Sequence, residues 1–280
     1  MSRVPVELVE AAQKFGEKAL QPAGGVKSVV GIGERHVFKL VERGKGRLAD
    51  QKEQRVLRAL ASGLPDFARR LVPVAVEGMY LPTLGFVEVH SRLPGQAPQA
   101  MSATLADELG MFLRALHGIP QPPMINEFEG EEPRDLGEYL VSSAVKFQAI
   151  LDAVVEGQDR ALVAGAVDLV RNYASKASGS PGLVIVHKDL SLGNLLVDDG
   201  HLTGIVDWAA AQTAPREWEF AIIAQRLGDF YDAVIRSYGI PLDNELLRVC
   251  GALQAIRFWK SFVDDEPFVE NQRRLLRSVL

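Results

Sequence analysis

Cysteine and histidine are scarce in this sequence. It has one cysteine, Cys250, and five histidines among 280 residues. A single thiol cannot form a disulfide framework within the chain, and so few Cys and His residues do not make a structural zinc cluster. Cys250 stands among apolar residues, where a cysteine usually behaves as a small buried hydrophobic side chain rather than as a nucleophile.

Long apolar runs and an excess of positive charge are also missing. No stretch approaches the roughly 18 apolar residues that suggest a membrane-spanning helix, and the N-terminal stretch has no apolar core of a secretory signal. The formal net charge of −5 argues against a surface that binds nucleic acid. We therefore expect a protein that uses neither membranes nor nucleic acids as partners and works in a reducing compartment, most simply the cytoplasm.

The most informative part of the chain is segment 183–208. An apolar run leads into a polar loop that carries His187, Asp189 and Asn194. Two short β-type runs follow, with Asp-Asp-Gly between them, which is a strong signal for a hairpin turn. Asp207 stands at the end of the second run. Because that run is otherwise apolar, a carboxylate there is expected to be buried and to need a cation as its partner.

This pattern of polar residues is typical of phosphoryl transfer. The reaction needs a carboxylate that orients and deprotonates an attacking hydroxyl, and hard oxygen ligands that hold Mg²⁺ at the phosphates. Asp189 is the candidate base, and Asn194 and Asp207 are the candidate magnesium ligands. His187 is expected to support the loop rather than to do chemistry. Each residue alone would be an ordinary turn residue, so the joint pattern is what favours the functional interpretation.

The stretch HKDLSLGN, followed by LTGIVDW, resembles the signature of the aminoglycoside phosphotransferase family, the small-molecule relatives of protein kinases. The family commonly has glycine where this chain has Lys188, and aspartate where it has Ala214 and Glu219. The resemblance implies an α+β fold of the protein-kinase type. It also implies a small β-rich lobe at residues 1–92 and a larger, mainly helical lobe at residues 93–280, with the catalytic loop and the acceptor site in the larger lobe.

The N-terminal third contains the candidates for nucleotide binding. Gly24, Gly25 and Ser28 stand in a glycine loop between strand-like runs, where backbone N–H groups can approach phosphates. This loop alone is weak evidence, because glycine-rich hairpins are common and the loop lacks the GK[ST] ending of a P-loop. Within the kinase-like interpretation, we expect it to cover the phosphates.

Lys39 is a charged residue inside an apolar strand. Glu53 falls on the apolar stripe of a helix predicted over residues 47–61, and a carboxylate on such a stripe needs a cation. Lys39 and Glu53 are therefore predicted to pair and to anchor the α- and β-phosphates, as in kinases. Asp50 is the alternative to Glu53.

The resemblance places the adenine of the nucleotide at a hinge between the lobes. Backbone groups within Val89–Leu93 would bind it, with Val89, Ser91 and Leu93 as the candidates. Pro94-Gly95 marks a break in the chain after this segment.

Acidic residues are the candidates for the acceptor side. The loop at residues 127–135 is either a solvated charge run or a negative flap that attracts a cationic acceptor. Four further acidic residues would add to that negative surface: Glu217, Asp264, Asp265 and Glu266.

The secondary-structure pattern agrees with this fold class. Helices are predicted over residues 5–16, 47–61, 103–117, 135–154, 158–177, 216–227, 229–238, 243–262 and 266–278. Strands are predicted over residues 29–32, 35–40, 71–76, 79–81, 86–89, 195–197 and 202–206.

Three functions remain open from the sequence. The leading one is a kinase that uses ATP and Mg²⁺ to phosphorylate a hydroxyl of a small molecule, by resemblance an aminoglycoside-type cationic antibiotic, so that the enzyme would confer resistance. The alternative is a metabolite kinase of the same fold with choline, homoserine, methylthioribose or a macrolide as acceptor. A catalytically inactive binding module is the third. The sequence does not choose between ATP and GTP.

Overall fold

The fold belongs to the α+β class, as predicted, with an antiparallel sheet near the N-terminus and mostly helices in the remainder. The computed structural model describes residues 4–23, 29–41, 52–120, 135–151, 157–177 and 182–280. The N-terminal sheet has, within these residues, the strands β1 to β5: Gln21–Ala23, Val29–Ile32, His36–Leu40, Ala75–Leu81 and Gly85–Ser91. Their order is β1-β2-β3-β5-β4, and all neighbours are antiparallel.

Within the described residues, the helices that accompany this sheet are α1 (Val6–Gln13), α2 (Lys52–Gly63) and the short α3 (Asp66–Arg69). Phe38 in the middle of β3 is fully buried and packs with Leu8 of α1. Successive side chains of a strand point to opposite faces of the sheet. The adjacent Lys39 therefore projects from the other face, and it is paired in register with Glu88 of β5.

The strand predicted over residues 71–76 begins only at Ala75. The helical turn α3 precedes it, and its N-cap is Pro65. Pro73 then removes a backbone donor from the segment that was expected to be a strand. Leu71 instead accepts a hydrogen bond from Ile205 N at 2.7 Å, which ties this segment to the hairpin around the candidate site.

Helices dominate after residue 102. They are α4 (Ala103–His117), α5 (Leu136–Leu151), α6 (Gly157–Ala177), α7 (Arg216–Arg226), α8 (Tyr231–Tyr238), α9 (Asn244–Ser261) and α10 (Glu266–Val279). Their positions agree with the sequence pattern to within a few residues. The predicted lobe boundary, between residues 92 and 93, falls directly after β5 and before α4. Among the described helices, none is long and apolar enough to span a lipid bilayer.

Two short antiparallel ribbons position the polar loop of segment 183–208. β6 (Leu183–Val186) pairs with β9 (Gln212–Pro215), and β7 (Leu195–Asp198) pairs with β8 (His201–Ile205). β7 and β8 form the hairpin that the Asp-Asp-Gly turn predicts. β9 was not predicted, because Gln-Thr-Ala-Pro has no alternating apolar pattern. It becomes a strand by pairing with β6, which fixes the start of the loop relative to α7.

Glu17 supports the turn between β2 and β3. Its buried carboxylate accepts hydrogen bonds from Glu34 N at 2.6 Å and Arg35 N at 3.0 Å, and it contacts His36 Nδ1 at 2.9 Å. A Cβ at Gly33 would lie 2.5 Å from this carboxylate, so only glycine permits the close approach. We expect Glu17→Ala to lower the free energy of unfolding by about 1–3 kcal/mol, because the two N–H groups lose their acceptor.

Chemical denaturation of Glu17→Ala beside Glu10→Ala measures this effect. Glu10 is an exposed acid on α1 and provides the same change in charge. Equal stability of the two variants would contradict the structural role of Glu17.

Candidate active site

The polar loop between β6 and β7 is held around His187, which is fully buried. The ring Nε2 lies 2.9 Å from Val206 O, and the ring Nδ1 accepts from Asp189 N at 3.3 Å. These partners require a proton on Nε2 and none on Nδ1, which is the neutral form. Burial lowers the pKa of His187, although the Val206 carbonyl and neighbouring carboxylates oppose the shift. His187 therefore fixes the loop to the segment before Asp207, in line with the supporting role expected for it.

Glu219 on α7 holds the same loop from the other side. Its fully buried carboxylate accepts from His187 N at 2.5 Å and from Lys188 N at 3.2 Å. Burial raises the pKa of Glu219 to about 7, although the two backbone hydrogen bonds act in the opposite direction. The sequence showed Glu219 only as a substitute for the family's aspartate. Its contact with the loop depends on how α7 packs, so it was not among the predicted site residues.

Lys188 has a left-handed backbone conformation, with φ of 65°. Such a conformation is strained for a residue with a side chain and is typical of glycine. It explains physically why glycine would suit this position, as the resemblance suggests. In this chain the side chain of Lys188 is buried, its Nζ donates to Gln212 Oε1 at 2.5 Å, and the same atom lies 4.6 Å from the centre of the Trp218 ring.

Asp189, the candidate base, is placed at the surface of the loop. Its Oδ1 accepts from Arg226 Nη1 at 2.8 Å, and both side chains are partly exposed. Asn194 Nδ2 donates to Asp189 O at 2.8 Å, so the Asn194 amide holds the backbone of the candidate base. The second carboxylate oxygen of Asp189 is the atom that can face an incoming hydroxyl. Arg226 was not predicted, because it follows Asp189 by 37 positions and comes from another element.

Asp207 does not end a strand, since β8 stops at Ile205. Asp207 has a left-handed backbone with φ of 63°, and its side chain is 47% exposed rather than buried as expected. The turn directs the carboxylate towards Lys39, whose Nζ lies 2.5 Å from Asp207 Oδ1. Burial alone would raise the pKa of Asp207, but the charge of Lys39 outweighs burial and lowers the pKa. Asp207 is therefore an ionised carboxylate at neutral pH.

Lys39, Glu53 and Asp207 form one charged cluster. Lys39 Nζ lies 2.7 Å from Glu53 Oε2, so the predicted pair is present in the structure. Burial alone would lower the pKa of Lys39, but the charges of Glu53 and Asp207 outweigh it and raise the pKa. Glu53 Oε1 also accepts from Trp208 N at 2.9 Å. Glu53 thus positions both the lysine and the segment that carries Asp207.

A second buried acid, Glu88, lies beside this cluster. Burial and the nearby charge of Glu53 raise the pKa of Glu88 to about 8, against the effect of Lys39. Burial beside a second carboxylate thus favours the protonated form of Glu88. Glu53, Glu88 and His90 offer ligand atoms within 4.8 Å of one another. The cation that already contacts this group is the Lys39 ammonium, which makes an ammonium-centred cluster the simpler interpretation.

The candidate hinge residues lie at the end of β5. Val89 is fully buried and pairs in register with Phe38 of β3. The backbone N–H of Ser91 donates to Val74 O at 2.9 Å, so this N–H is engaged within the protein. The side chain of Leu93 lies close against Gly204 of β8, where an added Cβ would be 2.8 Å from Leu93 Cδ1. The adenine contact expected for backbone groups within Val89–Leu93 stays a prediction.

Several predicted residues lie outside the described part of the chain. They are Gly24, Gly25 and Ser28 of the glycine loop, the alternative acid Asp50, and residues 127–134 of the acidic loop. Asp135, the last residue of that loop, is described, and its Oδ1 accepts from Glu138 N at 2.9 Å at the start of α5.

The acids predicted for the acceptor side have structural contacts. The buried carboxylate of Glu217 accepts from Arg216 Nε and from Asp243 N, each at 3.2 Å. Asp265 caps α10 by accepting from Phe268 N at 3.1 Å, and Glu266 pairs with Arg273 at 2.5 Å. Asp264 is exposed in the turn before α10. None of these contacts, within the described residues, involves the loop around Asp189.

Three solved structures are similar to this chain over nearly its full length. The gentamicin complex of APH(2")-IIa is 15% identical, with a TM-score of 0.69, and the match covers 99% of this chain and 97% of that one. ADP-bound aminoglycoside phosphotransferase APH(2'')-Ib is 15% identical, with a TM-score of 0.69 and coverage of 98% of each chain. A thermostable mutant of APH(4)-Ia in a ternary complex with ADP and hygromycin B is 17% identical, with a TM-score of 0.71 and coverage of 97% of each chain.

At these identities the likeness to solved structures establishes the fold alone. No curated protein matches the sequence. The model of the phosphotransferase enzyme family, in contrast, matches residues 22–253. That range includes the loop around Asp189 and the cluster of Lys39, Glu53 and Asp207. The chain belongs to the phosphotransferase enzyme family.

Proposed function

We propose that this protein transfers the γ-phosphate of ATP to a hydroxyl group of a small molecule. The observation that carries the proposal is a continuous set of contacts between two distant parts of the sequence. Lys39 contacts both Glu53 and Asp207, while His187 joins the segment before Asp207 to the loop of Asp189. A phosphate-binding cation, a candidate metal ligand and a candidate base therefore belong to one site, as phosphoryl transfer needs.

The residues present fit a magnesium ion. Asp207 offers an ionised, half-exposed carboxylate, and Asn194 offers an amide oxygen. Asn194 Nδ2 is engaged with Asp189 O, which leaves the amide oxygen as the atom that can bind a cation. Hard oxygen donors of this kind suit Mg²⁺. When bound, Mg²⁺ would neutralise charge on the phosphates of ATP.

Each protein group has a distinct task in this proposal. The ammonium of Lys39 binds phosphate oxygens and is kept charged by Glu53. The carboxylate of Asp189 accepts the proton of the attacking hydroxyl. His187, Asn194 and Glu219 hold the loop so that this carboxylate keeps its position. Such positioning and electrostatic stabilisation provide most of the catalysis in phosphoryl transfer.

Two acceptor classes follow from different observations. The similar solved structures include complexes with gentamicin and hygromycin B, which favours an aminoglycoside and a role in antibiotic resistance. The alternative is a metabolite kinase of the same fold, and it follows from the family model, whose description specifies no acceptor. An inactive binding module is less well supported, since the candidate base and both candidate metal ligands are present.

The replacement Asp207→Ala tests the nucleotide part of the proposal. In the wild type, ATP affinity measured by calorimetry is expected to rise when Mg²⁺ is added. In the variant we expect this Mg²⁺-dependent part to disappear, because the carboxylate ligand is lost. Asp198→Ala, which removes an exposed carboxylate at the end of β7, is the matched control and should behave as the wild type. Equal ATP affinity of the wild type with and without Mg²⁺ would contradict the assignment.

A panel of acceptors tests the transfer itself. Aminoglycosides, macrolides, choline and homoserine are mixed with ATP and Mg²⁺, and nucleotide consumption is measured. The proposal expects consumption that depends on one acceptor class and on Asp189. ATP binding without acceptor-dependent consumption across the panel would favour the inactive binding module.

A further inference from the structure

Arg226, the last residue of α7, contacts the carboxylate of the candidate base. Its Nη1 donates to Asp189 Oδ1 at 2.8 Å. The same nitrogen lies 3.5 Å from the backbone oxygens of Asp189 and Leu190. A carboxylate on a loop has several rotamers open to it. A charged donor from a helix selects the rotamer that brings Oδ1 to the guanidinium.

The contact uses one nitrogen of Arg226 and one oxygen of Asp189. Within the described residues, no hydrogen bond reaches Asp189 Oδ2. An ionised carboxylate can accept at both oxygens, so Oδ2 stays available for the proton of an attacking hydroxyl. A guanidinium stays protonated in proteins and does not itself exchange a proton. Any effect of Arg226 on the proton transfer therefore passes through Asp189.

The guanidinium of Arg226 is held in turn by an aromatic ring. Its Cζ lies 4.9 Å from the centre of the Phe258 ring on α9, which is within the range of a cation–π contact. Phe258 is buried, and its ring meets the ring of Phe268 on α10 edge-on at 5.9 Å. The surface on which Arg226 rests is thus fixed by the packing of two helices.

Two consecutive residues of α9 act on the loop of the candidate base. Arg257 donates from Nη1 to Lys188 O at 2.9 Å, directly before Asp189 in the chain. Phe258 acts on Asp189 itself, through Arg226. One residue holds the backbone and the next one holds the carboxylate. The direction of the Asp189 side chain therefore depends on α9 as well as on the loop.

This ion pair is weak as a source of stability. The side chains of Arg226 and Asp189 are 28% and 33% exposed, and water and salt screen exposed ion pairs. The position of a catalytic group matters more, since a displacement of about 1 Å can lower a rate about 100-fold. A contact of this kind is expected to affect turnover much more than folding.

We propose that Arg226 is a positioning residue for the phosphoryl transfer and that Phe258 keeps it in place. Arg226 holds Oδ1 of Asp189 so that Oδ2 meets the acceptor hydroxyl. The inference rests on the proposed phosphotransferase function. Among the described residues, the contacts of Lys39 and Asp207 do not include Arg226 or Phe258. The role of Arg226 is therefore separate from the binding of ATP.

The first experiment replaces Arg226. In Arg226→Ala, we expect kcat to fall about 10- to 100-fold, because the base is no longer held in one direction. KM for the acceptor, Kd for ATP and the free energy of unfolding should stay close to those of the wild type. Arg226→Lys keeps the charge but loses the planar donor group, so it should recover only a part of kcat. Arg236→Ala removes an exposed arginine of α8 and is the matched control.

Added guanidinium ion provides a readout that a merely structural arginine would not affect. Arg226→Ala removes the guanidinium group and keeps the Phe258 ring beside the empty position. Guanidinium chloride at a non-denaturing concentration should therefore restore a part of kcat in this variant. Potassium chloride at the same ionic strength should not restore it, and neither salt should raise the turnover of the wild type.

A double-mutant cycle tests the contribution of Phe258. Phe258→Leu keeps an apolar side chain and removes the ring. We expect kcat to fall about two- to fivefold, the size of one partly exposed cation–π contact. The same substitution in Arg226→Ala should lower kcat little further, because Phe258 acts through Arg226. Losses that add up in the double variant would contradict this order of contacts.

The two proposals fail in different ways. Turnover of Arg226→Ala that equals or exceeds that of the wild type overturns the role of Arg226 and keeps the kinase. A loss of turnover that comes with a loss of stability and is not restored by guanidinium also overturns it, since Arg226 would then support folding. A wild type that consumes no nucleotide with any acceptor of the panel removes the phosphotransferase proposal itself.

Discussion

Replacing Asp189 by alanine is expected to lower kcat by about 100-fold or more, while ATP still binds with nearly unchanged affinity. A positioned general base contributes about this much to a proton transfer. Arg226 holds one carboxylate oxygen of Asp189, and Asn194 holds its backbone carbonyl, so the side chain is pre-oriented for this task. The nucleotide contacts proposed for Lys39 and Asp207 do not involve Asp189. The loss should therefore appear in kcat and not in ATP affinity.

Steady-state kinetics with the acceptor found in the panel, together with calorimetry for ATP, measure the two quantities. Asp229→Ala serves as the control, because Asp229 is an exposed acid in the turn after α7. Unchanged turnover in Asp189→Ala would mean that another group takes the proton. A parallel loss of ATP affinity would mean that the substitution disturbs the whole site.

Glu219→Ala is expected to have the largest effect on stability. The substitution leaves the buried N–H groups of His187 and Lys188 without their acceptor. Each buried donor without a partner costs about 1–3 kcal/mol, so we expect the free energy of unfolding to fall by about 2–6 kcal/mol. Turnover should fall as well, because the loop that carries Asp189 loses the group that fixes its first two residues.

Unfolding by denaturant measures the loss of stability. Enzyme kinetics under conditions in which the variant is still folded measure the loss of turnover. Glu245→Ala is the control, since Glu245 is an exposed acid at the start of α9 that pairs with Lys176 at 3.0 Å. Glu219→Asp keeps a carboxylate on a shorter side chain and should lose less stability than Glu219→Ala. A Glu219→Ala protein as stable as the control would show that water or another group replaces the carboxylate.

The contribution of Glu219 to the stability of the folded protein should change with pH in a defined direction. The pKa of Glu219 is raised by burial from an ordinary value of 4.5 to about 7 in the folded protein. A carboxyl group with a raised folded pKa contributes its full stability below pH 4.5 and loses it as the pH rises through about 7. The stability difference between the wild type and Glu219→Ala should therefore be larger at pH 5 than at pH 8.

Local signals in the sequence were sufficient for the fold class and most of its elements. The apolar stripe ended by Gly118 and Pro120 predicts α4, and the Asp-Asp-Gly turn predicts the hairpin of β7 and β8. These features depend on residues close together in the chain, so no knowledge of packing is needed. The pair of Lys39 and Glu53 could also be predicted, because a carboxylate on the buried stripe of α2 needs a cation from the preceding strand.

The sequence failed where a residue's environment depends on distant segments. β9 is a strand only because β6 lies beside it, and the segment from Leu71 to Val74 is not a strand because of Pro73 and its contact with Ile205. The half-exposed position of Asp207 follows from its left-handed turn after β8, which an apolar run does not reveal.

The sequence by itself determined the family and the candidate catalytic residues, because a loop aspartate, an asparagine and a second aspartate at fixed spacing are a local pattern. Only the tertiary structure decided the surroundings of those residues. Glu219 and Arg226 reach the loop from α7, and four cations from α5, α9 and the loop line one cavity. The overall net charge of −5 gave no sign that these basic side chains lie close together. Charge at a site depends on which side chains the fold brings together, and a sum over the sequence does not contain that information.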